Sequence, residues 1–163
     1  MIRSAQPNDA GRIAEIYNYY VTQSAVTFEE SEVTAAEMKC RIDEVLAVGL
    51  PFLVVESGGE VVGYAHASKW KGRCAYRFSV EVSAYIQHGV VGRGFGSALY
   101  MELCPRLADK GFHALIGGIA LPNDASIRLH EKFGFRQVAR FPEVGFKFGR
   151  WVDVGYWQRI VSS

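Results

Sequence analysis

The sequence predicts an α/β domain with a mixed, mostly antiparallel sheet and helices on both faces, and three features predict it. Residues 76–86 alternate, with Tyr76, Phe78, Val80, Val82, Ala84 and Ile86 on one side and Arg77, Ser79, Glu81, Ser83 and Tyr85 on the other. That period of two is a strand with an apolar and a polar face. Gly92, Gly94 and Gly96 then separate this strand from a helical pattern opening at Ser97, Ala98 and Leu99. The chain reads β-α-α-β-β before this strand and α-β-α-β-β after it, which combines hairpins with strand–helix–strand crossovers.

Ile2–Ala5 predicts a short strand, and Pro7, Asn8 and Asp9 supply helix-starting residue types. Ala10, Ile13, Ile16, Tyr17, Tyr20 and Val21 recur at helical spacing. Thr34 and Glu37 form a T-x-x-E capping box ahead of a second helix with Met38, Ile42 and Val45 on one face. Phe28, between the two helices, is either a core plug or a lid over a substrate. Pro51–Ser57 and Glu60–Ser68 are β-rich runs joined at Gly58-Gly59, an antiparallel hairpin. The basic stretch Lys69–Ala75 leads into the alternating strand. The helix after the glycines is expected to reach about Lys110, to kink or shorten at Pro105, and to stop at Gly111. Ala114–Ala120 is a buried strand, and Leu121–Asp124 start a helix carrying Ile127, Leu129, His130 and Phe133 that Gly134 ends. Two extended runs around a turn at Lys147–Arg150 follow.

Hydrophobic residues make up 49% of the 163 and charged residues 21%, with a formal net charge of +1. That balance speaks against a nucleic-acid surface, which needs a basic excess. No apolar run approaches the roughly 20 residues of a membrane span, and no signal-peptide core is present. One cytoplasmic domain over residues 1–163 is expected. Cys40, Cys74 and Cys104 lack disulfide or zinc spacing and read as reduced, mostly buried thiols; His66, His88, His113 and His130 lack metal-ligand spacing, so no metal is expected.

The glycine turn is either structural or a pyrophosphate cradle. The first N–H groups of a helix have no intrahelical acceptor, and a turn without side chains lets a phosphate reach them. Neither common nucleotide motif fits: Phe95 and Gly96 stand where a P-loop needs Lys and Ser or Thr, and the spacing is G-x-G-x-G, not G-x-G-x-x-G.

Three motifs in order resemble the GNAT superfamily of N-acetyltransferases: the strand ending V-x-V/I, the turn G-R-G-F-G-S, and N-x-x-S-x-x-x-H-x-x-x-G-F from Asn123 to Phe135. The segments SAVTFEE from Ser24, WKGRCAYRFSVE from Trp70, GIALPNDASIRLHEKFGF from Gly118 and VGFKFGRWVDVGYWQ from Val144 are similar to the phosphinothricin and methionine sulfoximine acetyltransferase branch. The resemblance covers essentially the whole chain. It implies acetyl-CoA as donor, an α-amino acid as acceptor, and a splayed strand pair holding the pantetheine arm. By match, backbone groups of Ala84, Tyr85 and Ile86 face pantetheine and the thioester. Gly92, Arg93, Gly94, Phe95, Gly96 and Ser97 hold the pyrophosphate, and Asn123 also meets the cofactor. Val91 departs from the Gln or Arg that usually opens the turn.

The resemblance also assigns the chemistry. A protonated amine must lose a proton before it attacks; Glu81 is the matching base, acting directly or through water, or else it is a structural partner of Arg77. Backbone N–H near Tyr85 or Ile86 would stabilise the oxyanion. His130 occupies the general-acid slot, as acid or as proton relay. Arg73 and Tyr76 match residues that bind the amino acid, Arg77 adds a second contact or a structural ion pair, and Phe28 and Ser83 wall the pocket. A homodimer sharing the acceptor site is implied. Two alternatives stay open: another small amine or a peptide N-terminus as acceptor, and a CoA-binding sensor without catalysis.

Overall fold

Strand β1 (Ile2–Ser4) opens the computed structural model, which describes residues 1–161. Helices α1 (Ala10–Gln23) and α2 (Ala35–Ala47) follow, then β2 (Phe52–Ser57), β3 (Glu60–Lys69), β4 (Ser79–Ile86), α3 (Phe95–Asp109), β5 (Ala114–Ala120), α4 (Asp124–Lys132), β6 (Arg136–Lys147) and β7 (Arg150–Ile160). The seven strands form one sheet in the order β1-β2-β3-β4-β5-β7-β6. Every neighbouring pair is antiparallel except β4 and β5, which are parallel.

Local chemistry sets the element ends. Glu37 N–H donates to Thr34 Oγ1 at 3.1 Å and Thr34 N–H to Glu37 Oε2 at 2.7 Å, completing the capping box. At α1 the acid works differently: Asp9 accepts from Gln6 N–H at 2.7 Å and takes both guanidinium nitrogens of Arg3 at 2.8 and 2.9 Å. Helices α3 and α4 both stop at a left-handed glycine. Gly111 (φ 88°) and Gly134 (φ 83°) are each followed by a residue whose N–H returns five residues, Phe112 to Leu107 and Phe135 to His130. Gly58-Gly59 and Phe148-Gly149 have positive φ at both positions, the two-residue turn that suits strand twist.

Two cores sandwich the sheet. On one face α3 buries Leu99, Tyr100, Leu103 and Leu107, each fully, against Val80, Val82, Leu115 and Ile119. On the other, Ile13, Ile16, Tyr17 and Val21 of α1 and Met38 and Ile42 of α2 cover Phe52, Val54 and Tyr64. A buried leucine contributes about 1.5–3 kcal/mol, so these two layers anchor helices to both faces of the sheet.

Three expectations are corrected. The alternating strand begins at Ser79, because Cys74–Tyr76 form a 3₁₀ turn and residues 71–78 stand exposed. Pro105 does not shorten α3, which runs on to Asp109, and Pro105 and Met101 one turn before it are both on the exposed side of the helix. Of the three thiols only Cys104 is buried, which pushes it up to about 11; Cys40 and Cys74 are exposed. Among the described residues no helix is long and apolar enough to cross a membrane.

Candidate active site

A gap opens where β4 and β5 part. They pair only over Ser79–Glu81 and Ala114–Ile116, although β4 continues to Ile86 and β5 to Ala120. The β3–β4 ladder decides which backbone groups face this gap. Gln87 N–H donates to the Val62 carbonyl at 2.8 Å. In that register Ser83 and Tyr85 turn their N–H and C=O toward β3, while Val82, Ala84 and Ile86 turn theirs toward the gap. The expected backbone role of Tyr85 is therefore corrected: its peptide groups belong to the ladder, and its ring lines the cleft instead. Tyr20 donates its hydroxyl to the Ile86 carbonyl. The Ala84 N–H and C=O and the Ile86 N–H remain for a ligand.

The gap widens into a cleft of about 770 Å³. Ser83, Ala84, Tyr85, Ile86, Gly92, Gly94, Phe95, Gly96, Ser97 and Asn123 line it, along with His130. Arg93 does not; its guanidinium lies 6.0 Å from the Phe95 ring. The fit to a pyrophosphate is good. Gly92 and Gly94 hold φ 87° and 86°, and a Cβ on either would meet nothing within 4 Å, so the turn needs glycine for its backbone shape. Past it, the N–H groups of Phe95, Gly96 and Ser97 open α3 toward the cleft with no intrahelical acceptor. Arg128 and Lys132 line the same mouth, and Lys132 Nζ donates to Ser97 Oγ at 3.1 Å. Gly96 has another reason: a Cβ there would stand 3.3 Å from Leu129 Cδ2, so it lets α4 approach α3. Asn123 caps α4, accepting from Ser126 N–H at 3.2 Å.

Glu81 pairs in register with Ile116, the last pair before the strands separate, so it sits at the root of the gap. Its Oε1 would lie 3.5 Å from a Cβ on Gly118, so that glycine leaves room for the carboxylate beside Tyr156. Burial pushes its pKa above the ordinary carboxylate value, and Lys71 offsets part of the rise. Arg77 is not its partner. Arg77 donates to the Cys74 carbonyl at 3.0 Å and stacks 4.5 Å over Phe78. Arg73 and Tyr76 stand on the same exposed arm, and none of the three lines the cleft.

His130 lies beneath the opposite face of β5, 5% exposed, where a Cβ on Gly117 would be 2.4 Å from its Nε2. Its Nδ1 is 2.7 Å from the Ser126 carbonyl, an acceptor, so Nδ1 carries the proton. Nε2 then accepts from the Tyr100 hydroxyl at 2.9 Å. Burial lowers its pKa, the bond to Ser126 notwithstanding, and both ring nitrogens are engaged.

Phe28 is neither a core plug nor over the cleft. It is 41% exposed, with its ring against Gly145 of β6. Its neighbour Val26 is the cleft residue. Tyr20, Val26, Tyr100, Arg128 and Lys132 all line the cleft without having been singled out from sequence. Tyr20 read as part of an apolar stripe, and Arg128 and Lys132 were given no role; only the α3–α4 packing places them at the mouth.

A strand pair that parts above a half-buried carboxylate, with a glycine turn and helix N-terminus at its mouth, defines an acetyl-CoA-dependent acetyltransferase. The chain belongs to the acetyltransferase (GNAT) domain family, which matches residues 2–155. It is 39% identical over 160 residues to a phosphinothricin N-acetyltransferase of Streptomyces viridochromogenes, covering 97% of this chain and 86% of that one. To an L-methionine sulfoximine/L-methionine sulfone acetyltransferase of Salmonella typhimurium it is 36% identical, covering 96% and 92%. The structure of a phosphinothricin acetyltransferase from Sinorhizobium meliloti in complex with acetyl-CoA superposes with a TM-score of 0.96 at 37% identity, covering 99% of this chain and 88% of that one.

Proposed function

We propose that this protein transfers the acetyl group of acetyl-CoA to the α-amino group of a small amino acid of the phosphinothricin or methionine sulfoximine kind, by direct attack in a ternary complex. The observation that carries the reading is the half-buried Glu81 at the root of the β4–β5 gap. The names of the relatives supply the acceptor class. Acetyl-CoA brings an activated acyl group; the chain's residues hold it and move protons around it. Gly92, Gly94, Phe95, Gly96 and Ser97 take the pyrophosphate, with Arg93 beside them and Asn123 farther along the cleft. Ala84 N–H and Ile86 N–H point at the gap and are the donors for charge developing on the thioester oxygen.

Glu81 removes the amine proton, directly or through one water; its raised pKa brings its affinity for a proton closer to the task than an exposed carboxylate's. His130 is assigned as a relay and not as a direct acid, because its Nε2 is already engaged by the hydroxyl of Tyr100, which lines the cleft beside it. Arg73, with Tyr76 and Arg77, offers a guanidinium arm for the acceptor carboxylate, and Phe28 and Ser83 wall the acceptor side. The arm stands open to solvent in one chain. Phe78, Phe141, Val144, Phe146, Phe148 and Trp151 are each at least 50% exposed, an apolar surface that supports a homodimer closing over the arm. The described chain works as one domain, in the cytoplasm, where acetyl-CoA is available.

The test is to identify products by mass spectrometry after incubation with acetyl-CoA and phosphinothricin, methionine sulfoximine, methionine sulfone, unrelated amines and a short peptide. N-acetylation of the first three supports the reading; acetylation confined to the peptide or to unrelated amines removes the acceptor assignment.

A further inference from the structure

The loop between α1 and α2 carries a device that the chemistry above leaves unused. Lys147, at the end of β6, is 1% exposed, yet its ammonium donates across 120 positions to the Thr27 carbonyl at 2.7 Å. A buried ammonium is costly and persists only where the surroundings fix it. Two residues earlier on the same face of β6, Gly145 receives the next loop residue: a Cβ there would stand 2.3 Å from the Phe28 ring. One face of β6 thus grips two consecutive loop residues. The other side of the loop is held too, by Tyr17 at 2.7 Å from Thr27 Oγ1 and by Arg41 at 2.5 Å from Glu29. Burial lowers the Lys147 pKa while Glu30 and Glu29 oppose the fall. The gripped segment reaches the cleft at Val26.

We propose that Lys147 is a positioning residue which, together with the Gly145 notch, holds Thr27 and Phe28 and thereby fixes Val26 as a wall of the cleft on its acceptor side. This rests on the acetyltransferase reading above. Lys147→Met removes the ammonium while keeping bulk, and Gly145→Ala displaces Phe28 from the opposite contact. Both are expected to raise the acceptor KM about tenfold or more, with the acetyl-CoA KM and the CoA Kd within about twofold of wild type. Hydrogen exchange of residues 25–30 rises in both, while that of α3 does not. A merely structural lysine would lower Tm and shift both substrates' KM together. The proposal is overturned by that pattern, by unchanged exchange at 25–30, or by faster exchange with an unchanged acceptor KM. If Lys147→Met does not fold, Gly145→Ala alone decides between these outcomes. If wild type acetylates no amine, the functional reading fails first, and the exchange comparison shows separately whether the grip exists.

Discussion

At the scale of single residues, Glu81 carries the most consequence. Its folded-state pKa is raised by burial, so the proton-linked stability is complete below the unfolded carboxylate's pKa and is lost as pH rises through the folded one. The ionised side chain therefore weakens the fold at neutral pH in exchange for a base in the gap. Glu81→Gln, uncharged throughout, is expected to melt above wild type at neutral pH, the difference closing below about pH 4. A lower Tm for the variant at neutral pH would sink this reading of the site. Glu81 was legible in the sequence because a carboxylate on a strand's polar face, matched to a motif, needs only the strand to form. The arrangement of His130 was not. Its neighbours, Tyr100 on α3 and Gly117 on β5, come from elements distant in the chain, and only packing fixes which nitrogen holds the proton.

At the scale of elements, the turn before α3 is where backbone shape and function meet. Gly94 is the residue before the helix, at φ 86°, and a methyl group there meets no atom. Gly94→Ala is therefore expected to cost stability through φ alone, about 1–2 kcal/mol, and to tilt the N–H groups of the cradle. Its acetyl-CoA KM should rise about tenfold while the acceptor KM stays within about twofold. Equal effects on both substrates would argue that the turn is structural only. Such turns, the capping box at Thr34 and the glycine stops at 111 and 134 were readable because each is set within a few residues. Residues 76–78 misled for the converse reason: Tyr76 and Phe78 continue the apolar alternation, but Cys74–Tyr76 close a 3₁₀ turn and the arm stays outside the sheet. Lys147 was equally opaque, since nothing local marks a lysine that will be buried under a loop 120 positions away.

At the scale of the molecule, the succession of elements was written in the chain, yet the site depends on a topology that succession alone leaves open. Placing β5 beside β4 makes the one parallel pair among the described residues, and the gap opens where that pairing stops after Glu81 and Ile116. The exposed apolar residues of β6, β7 and the 71–78 arm lead to a prediction at this scale. Sedimentation equilibrium should report a dimer for wild type and a monomer for Trp151→Glu, with the monomer impaired in acceptor KM more than in acetyl-CoA KM. A monomeric wild type with full activity would refute the shared acceptor site. The most direct measurement is thiol release from acetyl-CoA with phosphinothricin or methionine sulfoximine, for wild type against Glu81→Gln at saturating substrates. Turnover by wild type, with a loss of about 100-fold or more in kcat for the variant and unchanged CoA binding, is the expected result. A variant with near wild-type kcat, or a wild type that binds CoA and acetylates no amine, would contradict the assignment of Glu81 as the base of an amino acid N-acetyltransferase.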